Sequence, residues 1–343
     1  MIKHDNQMAI EAREAPHAVA RQQEQIAARL APLVARLRDV NPRVVVTCAR
    51  GSSAHAATFA KHLVERGLGL PVAAAAPNIT SVYGGSLRLD GQFFLAISQS
   101  GGSVDLVEQA AAARRSGAVT ACLVNEVESD LAAQCEFVLP MAAGPEFAVP
   151  ATKTFIASLA ALARLVALWS QDRALDAALT RLPERLARAA ELDWSRMVDA
   201  FSRAESLVAI GRGPTLAIAR EAALKLKETA NLHAEAFSSA EFMHGPVSLV
   251  SPLYPILMFT PTDEAAIGMR RLAEDLRGKG AALFATDRED ETRSRLPTLS
   301  PDHPETDAIC LIQSFYAMAA QLAAARGVDV DRPRHLQKVT RTR

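Results

Sequence analysis

The chain has 343 residues, of which 49% are hydrophobic, and its 38 basic residues balance 38 acidic ones. A neutral chain lacks the basic surface that nucleic acid or an anionic membrane attracts, so neither is an expected partner. The four cysteines have neither metal-ligand nor disulfide spacing, and the charged start does not resemble a signal peptide. These features predict a soluble, cytoplasmic protein, in which the longest apolar stretch, residues 155–169, is too short to span a bilayer.

The elements can be predicted in chain order. An N-terminal helical arm is expected at about residues 11–38, and β-rich runs then alternate with helical patterns. The strands predicted for the first half lie at 44–48, 72–74, 93–97, 119–124 and 137–140. This alternation predicts a parallel sheet with helices on both faces. A helical stretch at 154–203 follows, and Pro183 predicts a break within it.

The second half repeats the first. "RVVVTCARGSSAHAATFAKHL" begins at Arg43 and "SLVAIGRGPTLAIAREAALKL" begins at Ser206, so that Gly51 and Gly213 lie 162 positions apart. A later pair of glycines has an offset of 163. The repeat predicts two similar α/β domains. The predicted segments are an arm at 1–38, a first domain at 39–170, a connector at 171–200, a second domain at 201–328 and a tail at 329–343.

The stretch "AISQSGGSVD", residues 96–105, leaves an apolar strand, passes through serines and glycines, and enters a helix. Unpaired N–H groups at a helix N-terminus, together with serine hydroxyls, suit a phosphate. The alternative is that Ser100 or Ser103 is an ordinary helix cap. The loop has no nucleotide P-loop ending and no good dinucleotide fingerprint, and no cofactor is expected. Its counterpart "TPTDE" carries Asp263 and Glu264, which would repel a phosphate, so phosphate is expected only in the first half.

Glu221, Lys225 and Glu228 are spaced as i, i+4 and i+7, and this spacing puts their side chains on one face of a helix. Such a face is often only solvated, but small and apolar flanking residues favour a packed helix. His244 precedes a Gly-Pro turn and could face a cleft, although a lone histidine is usually structural. Because no HExxH pattern occurs, acid–base chemistry is favoured over a metal site. The basic tail either is solvated or delivers Lys338 to a site.

Together these motifs resemble the double sugar-isomerase (SIS) domain family. The resemblance is carried by "MAIEAREAP", "ARGSSAHA", "SQSGGSVD", "GPEFAVPATKTF", "EAALKLKETANLHAEAFSSAEFMHGPVSLV" and "DVDRPRHLQKVT". It implies two tandem flavodoxin-like parallel sheets and a homodimer. It also implies that the loop holds a sugar phosphate through Ser98, Gln99, Ser100 and Ser103. Three further positions are implied to line the sugar site: Gly51, Ser53 and Val149.

The same resemblance implies catalytic roles. Glu228 is implied to shuttle a proton between C1 and C2, with Glu221 and Lys225 as its charged neighbours. His244 is implied to open the sugar ring from the partner subunit. Lys338 is implied to contact the open-chain sugar, by a hydrogen bond or an imine. Neither a metal nor a cofactor is implied.

Departures from the pattern separate two branches of the family. The isomerase half of glucosamine-6-phosphate synthase follows a glutamine-hydrolysing domain, whereas here the first cysteine is Cys48, so no such domain is expected. Ala151 and Gly102 also replace residues usual in the synthase. The sequence therefore favours a deaminase that converts glucosamine 6-phosphate and water to fructose 6-phosphate and ammonia. Alternatives are an isomerase, deaminase or deglycase acting on galactosamine 6-phosphate or fructosamine 6-phosphate, or a non-catalytic sugar-phosphate sensor.

Overall fold

The computed structural model of the protein describes residues 6–338. The start of the predicted arm, residues 1–5, and the end of the predicted tail, residues 339–343, lie outside the described residues. The described chain forms two compact units. The first unit contains residues 17–146, 153–180 and 337–338, and the second contains 6–16, 147–152 and 181–336. The segment boundaries derived from the repeat stay a prediction.

The first unit contains a five-stranded parallel sheet in the order β2-β1-β3-β4-β5. Its strands are β1 Val45–Ala49, β2 Val72–Ala74, β3 Phe93–Ser98, β4 Val119–Val124 and β5 Phe137–Pro140. The predicted strands match these bounds to within one residue. In chain order, the helices up to residue 170 are α1 Gln7–Arg13, α2 Ala15–Val40, α3 Gly51–Leu68, α4 Asn78–Ser81, α5 Val104–Arg115, α6 Asp130–Gln134 and α7 Lys153–Ser170. Helix α1 belongs to the second unit.

The second unit contains a four-stranded parallel sheet in the order β7-β6-β8-β9. Its strands are β6 Ser206–Gly211, β7 His233–Ser238, β8 Pro255–Phe259 and β9 Ala282–Ala285. The remaining helices are α8 Arg173–Ala190, α9 Arg196–Phe201, α10 Thr215–Ala230, α11 Ser239–Met243, α12 Ala266–Gly278 and α13 Pro304–Ala325, with a short 3-10 helix at Pro246–Leu249.

The two sheets share one topology, which confirms the repeat. Four strands follow the same order in both, and that order is flavodoxin-like. Gly117 before β4 and Gly280 before β9 have φ angles of 84° and 86°, a left-handed conformation that favours glycine. The glycine spacing in the sequence therefore marks the same turn in each sheet.

Both faces of each sheet are covered, because the strands are nearly continuous apolar runs whose successive side chains point to opposite faces. In the first unit Phe94 lies in the cluster beneath α5 and α6, and Phe93 packs on Trp169 of α7 with ring centroids 6.0 Å apart. In the second unit Met258 packs with α12, and Phe259 contacts Phe315 of α13. This arrangement confirms the predicted fold of two parallel sheets with helices on both faces.

The expected break at Pro183 was wrong. Pro183 lies inside α8, and the helices are interrupted instead at Gln171, which has a φ of 62°, and after Ala190. A proline frees the carbonyl four residues earlier. Here that carbonyl, on Leu179, accepts a hydrogen bond from the Gln23 side chain at 2.5 Å. The freed acceptor is therefore satisfied, and the helix continues.

Two helices, α7 and α13, are long and apolar enough to cross a membrane by length and composition. Helix α7 spans 18 residues and so extends beyond the apolar stretch predicted at 155–169. However, 83% and 78% of the two apolar windows are buried within the fold. This is weak evidence for a membrane span, because core helices have the same properties. All four cysteines are buried free thiols.

Candidate active site

The loop after β3, residues 98–103, is the segment for which the sequence predicts phosphate binding, and it is called the phosphate cradle below. Ser98, the last residue of β3, accepts a hydrogen bond at its Oγ from the Gly101 N–H at 3.1 Å. Ser100 Oγ accepts one from the Gly102 N–H at 3.3 Å. Ser103 is the N-cap of α5, but its side chain makes no capping hydrogen bond. Neither Ser100 nor Ser103 therefore caps α5 through its side chain, and the N-terminus of that helix can receive an anion.

Gly101 fixes the shape of the cradle. Its φ is 62°, and a Cβ at this position would lie 2.0 Å from Ser129 Oγ. Its carbonyl accepts from the Leu131 N–H at 3.0 Å, and the Gln99 carbonyl accepts from the Asn125 N–H at 3.0 Å. The loop is therefore held against the segment that follows β4, which leaves its remaining donors in fixed positions.

The cradle lies at the point where the strand order of the first sheet reverses. Strands β1 and β3 are neighbours there, and Gly51 and Ser53 follow β1 in the first turn of α3. Ligands of such sheets bind beyond the carboxyl ends of the strands at this point. Arg50, which the sequence argument did not single out, donates two hydrogen bonds to Asp105 in the first turn of α5, at 2.6 and 3.1 Å. This ion pair ties the two helix starts together and places a guanidinium beside the cradle.

Lys338 lies at the same edge of the first sheet. Its Nζ is 3.0 Å from an oxygen of Glu146, which also accepts hydrogen bonds from the backbone and hydroxyl of Thr154. The Glu146 side chain is fully buried. Asn125 connects this region to the cradle, because its amide donates to the Gly144 carbonyl at 2.9 Å and its N–H donates to Gln99. Sequence reasoning missed both Glu146 and Asn125.

The second unit brings Glu221, Lys225 and Glu228 together on α10, as their spacing predicts. Lys225 Nζ lies 3.3 Å from Glu221 and 2.5 Å from Glu228. The side chains of Lys225 and Glu221 are 1% and 0% exposed, whereas that of Glu228 is 19% exposed. The face is therefore packed rather than solvated, and Glu228 is the member of this triad that a substrate can reach.

The electrostatics of the triad favour a charged lysine. Burial lowers the pKa of Lys225, but the carboxylates of Glu221 and Glu228 raise it by more, and the pKa lies above its ordinary value. Lys225 thus stays an ammonium at neutral pH. It holds the carboxylate of Glu228, which stays partly exposed.

His244 and Val149 also belong to the second unit. His244 directly follows α11 as its C-cap and is exposed. Its side chain makes no hydrogen bond or ion pair within residues 6–338, so it does not join the triad. Val149 is half-buried. The segment before it is held by Glu11, a buried carboxylate of α1, which accepts from the N–H groups of Phe147 at 2.6 Å and Ala148 at 3.1 Å. Sequence reasoning did not find Glu11, although it lies in "MAIEAREAP".

Among the described residues, no group of three or more His, Cys, Asp or Glu side chains is arranged to hold a metal ion. Apart from His244 and Val149, the predicted residues lie in or next to three local arrangements: the phosphate cradle, the Lys338–Glu146 pair and the α10 triad. The fold and these arrangements define an α/β protein with two flavodoxin-like parallel sheets and a cluster of ionisable side chains suited to acid–base chemistry.

Comparison with known proteins shows the family to which the chain is related. The SIS domain family matches residues 37–168 and 200–326. The glutamine–fructose-6-phosphate aminotransferase (isomerizing) of Symbiobacterium thermophilum is 30% identical over 323 residues, which cover 89% of this chain and 52% of that protein. The chain thus spans about half the length of the curated relatives it matches.

Two solved structures are similar over nearly the whole chain. A Silicibacter pomeroyi DSS-3 protein assigned as a phosphosugar isomerase is 44% identical with a TM-score of 0.91, and the match covers 95% of this chain and 100% of that one. The C-terminal domain of glucosamine-fructose-6-phosphate aminotransferase from Francisella tularensis is 26% identical with a TM-score of 0.86, over 96% and 99% of the two chains. The chain belongs to the SIS domain family, and these relationships support a phosphosugar isomerase function.

Proposed function

We propose that the protein is a phosphosugar isomerase that deaminates an amino sugar phosphate, and that its substrate is glucosamine 6-phosphate. The observation that carries the proposal is the α10 triad, in which a buried ammonium holds two carboxylates and only Glu228 is partly exposed. A sensor would need to bind the sugar but would not need a base held in this way. Ala151 and Gly102, which replace residues usual in the synthase, favour deamination over synthesis.

In the proposed reaction the phosphate cradle holds the 6-phosphate and Glu228 moves the proton. Glu228 takes the proton from C2 of the open-chain sugar and returns it to C1. The C1 oxygen gains one proton and the amine on C2 loses one, so the C1 aldehyde becomes an alcohol and C2 becomes an imine. Water then adds to C2 and ammonia leaves, so one amino sugar phosphate and one water give fructose 6-phosphate and one ammonia. General acid–base catalysis of this kind contributes about 10²–10⁴-fold. The steps transfer no electrons to an acceptor, so the proposal includes no redox cofactor.

Lys338 is proposed to contact the open-chain sugar. Its amine is held by a buried carboxylate at 3.0 Å, on a wall that hydrogen bonds connect to the phosphate cradle. This support favours a role of the amine at the edge of the first sheet where a ligand is expected. From there it can donate a hydrogen bond to the sugar or condense with the sugar carbonyl.

His244 is proposed to open the sugar ring from the partner subunit of a homodimer. The imidazole is exposed, and the same segment carries three exposed apolar side chains, on Met243, Leu249 and Leu253. Exposed apolar side chains in one segment fit a surface that a second copy covers. We further propose a cytoplasmic location without a nucleic-acid or membrane partner. The neutral net charge and the buried free thiols support this proposal.

The dimer proposal is tested by mixing two inactive variants, His244→Asn and Glu228→Gln, under conditions that exchange subunits. If each site takes its histidine from the partner, half of the dimers are mixed and each regains one intact site, which gives about one quarter of wild-type activity. If histidine and glutamate come from the same chain, the mixture stays inactive, and donation across the interface is wrong.

The reaction is tested by incubating the purified protein with glucosamine 6-phosphate and measuring ammonia and fructose 6-phosphate together. Equal release of both is expected, with loss in Glu228→Gln and retention in Glu274→Gln, an exposed carboxylate of α12 that serves as the control. Reaction only with galactosamine 6-phosphate or fructosamine 6-phosphate would mean that the substrate is wrong. No reaction with any of the three would favour a sensor. Full activity of Glu228→Gln would overturn the assignment of the base.

A further inference from the structure

Arg50 directly follows β1 at the carboxyl edge of the first sheet. Ala49, the last residue of β1, pairs with Ile97 of β3. The next residues along these two parallel strands, Arg50 and Ser98, are therefore neighbours. Ser98 begins the phosphate cradle, so Arg50 lies beside the cradle at the point where ligands of such sheets bind.

The side chain of Arg50 extends to α5 instead of capping its own helix. Arg50 is the N-cap residue of α3, but its side chain makes no capping hydrogen bond. Its Nε and Nη2 both donate to a single oxygen, Oδ2 of Asp105, at 3.1 and 2.6 Å. Asp105 lies in the first turn of α5, which is the helix that directly follows the cradle. The guanidinium is thus held at the start of that helix.

This ion pair uses only part of the guanidinium. An arginine side chain has five N–H donors, and within residues 6–338 that of Arg50 uses two of them, both on Asp105. The two Nη1 donors and one Nη2 donor are left, and the side chain is 50% exposed. A guanidinium edge of this kind can bind two phosphate oxygens through parallel hydrogen bonds.

The charges around the cradle favour such a contact. Residues 98–103 include no lysine or arginine, so the donors of the cradle itself are uncharged N–H and hydroxyl groups. The carboxylate of Asp105, in the next turn, opposes a phosphate. Arg50 compensates this carboxylate. Because the Asp105 side chain is 0% exposed and that of Arg50 is 50% exposed, a ligand that arrives from solvent meets the cation.

We infer that Arg50 is a phosphate-binding residue, whose Nη1–Nη2 edge donates hydrogen bonds to the phosphate proposed for the cradle. Asp105 holds the guanidinium in place through its other edge. The inference rests on the phosphate binding that is part of the proposed function, but it does not depend on the deamination.

Binding is tested by isothermal titration calorimetry of the purified full chain with sorbitol 6-phosphate. This probe has the phosphate and an open sugar chain but no carbonyl, so it cannot be isomerised. The wild type is expected to bind it at least about tenfold more tightly than sorbitol, and Arg50→Met is expected to lose at least about tenfold in affinity. Equal binding of sorbitol by the wild type, or undiminished binding by Arg50→Met, would overturn the inference.

Arg43→Met is the matched control. Arg43 is exposed and precedes the amino end of the same strand, so this variant removes the same charge at the opposite edge of the sheet. It is expected to bind sorbitol 6-phosphate as the wild type does. An equal loss in both variants would show an effect of net charge alone and would overturn a contact by Arg50.

A second pair of variants separates a direct contact from an effect through Asp105. Arg50→Met alone leaves a buried carboxylate without its cation, and this loss by itself can weaken binding or prevent folding. The same substitution is therefore made in an Asp105→Asn background. The double variant is expected to bind sorbitol 6-phosphate at least about tenfold more weakly than Asp105→Asn alone. Equal binding of these two would mean that Arg50 only compensates Asp105, which would overturn the inference.

The deaminase assay distinguishes this inference from the proposed reaction. If no ammonia is released while binding of sorbitol 6-phosphate depends on Arg50, the reaction is wrong and the phosphate contact stands. If ammonia is released while binding does not depend on Arg50, only the contact is wrong.

Discussion

Replacing Lys225 by methionine should destabilise the second unit strongly. The change keeps an unbranched side chain but removes an ammonium that is 1% exposed and lies 3.3 Å from the fully buried Glu221. At an effective dielectric constant of about 20, two unit charges 3.3 Å apart attract by about 5 kcal/mol. Removing one partner of a buried ion pair costs about 3–5 kcal/mol, because the other charge is left uncompensated. We therefore expect Lys225→Met to lower the free energy of unfolding by about 3–5 kcal/mol.

The pH dependence of this loss has a definite sign. In the wild type the pKa of Lys225 is raised above its ordinary value, so its contribution is complete below the ordinary lysine pKa of about 10.4 and is lost as the pH rises through the higher folded value. In the variant, Glu221 can relieve its burial by taking up a proton. The loss of stability should therefore be smaller at a pH of about 5 than at about 8.

Urea unfolding followed by tryptophan fluorescence measures this change in the correct unit. The chain has two tryptophans, and Trp169 belongs to the first unit whereas Trp194 belongs to the second. In a Trp169→Phe background, Trp194 alone reports on the second unit. The matched control is Lys227→Met on the same helix, where an exposed lysine donates one hydrogen bond to the Ala234 carbonyl. A loss for Lys225→Met no greater than that of this control, about 1 kcal/mol, and independent of pH, would refute the reasoning.

Three further results are expected. Gly101→Ala should raise the KM for the sugar phosphate at least about tenfold, because the added Cβ would lie 2.0 Å from a side-chain oxygen. Gly102→Ala is the control, since its added Cβ would have its nearest neighbour at 3.8 Å. Similar KM values for the two variants would contradict phosphate binding by the cradle. Glu146→Gln keeps the size of a buried side chain but removes the charge that holds Lys338, so kcat should fall at least about tenfold with KM little changed. An unaltered kcat would contradict the positioning role of Glu146. All four cysteines are buried, and burial raises the pKa of the Cys48 thiol to about 12. A thiol reagent at a pH of about 8 should therefore label no cysteine in the native protein and all four in denaturant. Rapid labelling of the native protein would show that the thiols are accessible.

Much of the fold could be predicted because parallel sheets leave a simple pattern. Strands buried on both faces are continuous apolar runs, so β3 and β4 were found to within one residue of their bounds. The turn glycines Gly117 and Gly280 supported the repeat, because few other residues adopt their backbone conformation. Pro183 misled the prediction, since a local rule about helix breaking cannot anticipate that Gln23, 160 residues earlier, satisfies the freed carbonyl.

The residues of the candidate site that could be found are those whose partners are close in sequence. Glu221 and Glu228 flank Lys225 on one helix, so helical periodicity alone places them in contact. Glu11 and Glu146 have partners that are distant in sequence, so helical periodicity does not reveal them. Each is a buried carboxylate, and burying a carboxylate is unfavourable unless hydrogen bonds or a cation satisfy it.

An acidic residue within a largely apolar stretch such as "GPEFAVP" is therefore a sign that a partner exists, and this sign was available in the sequence. The identity of the partner was not available. Glu146 meets Lys338 across 192 positions, and Glu11 meets the Phe147 and Ala148 N–H groups across 136 and 137 positions. Contacts of that separation depend on the topology of the sheets, which periodicity does not encode. A lone acid in an apolar stretch thus indicates that a residue positions a site, and only the fold shows what it positions.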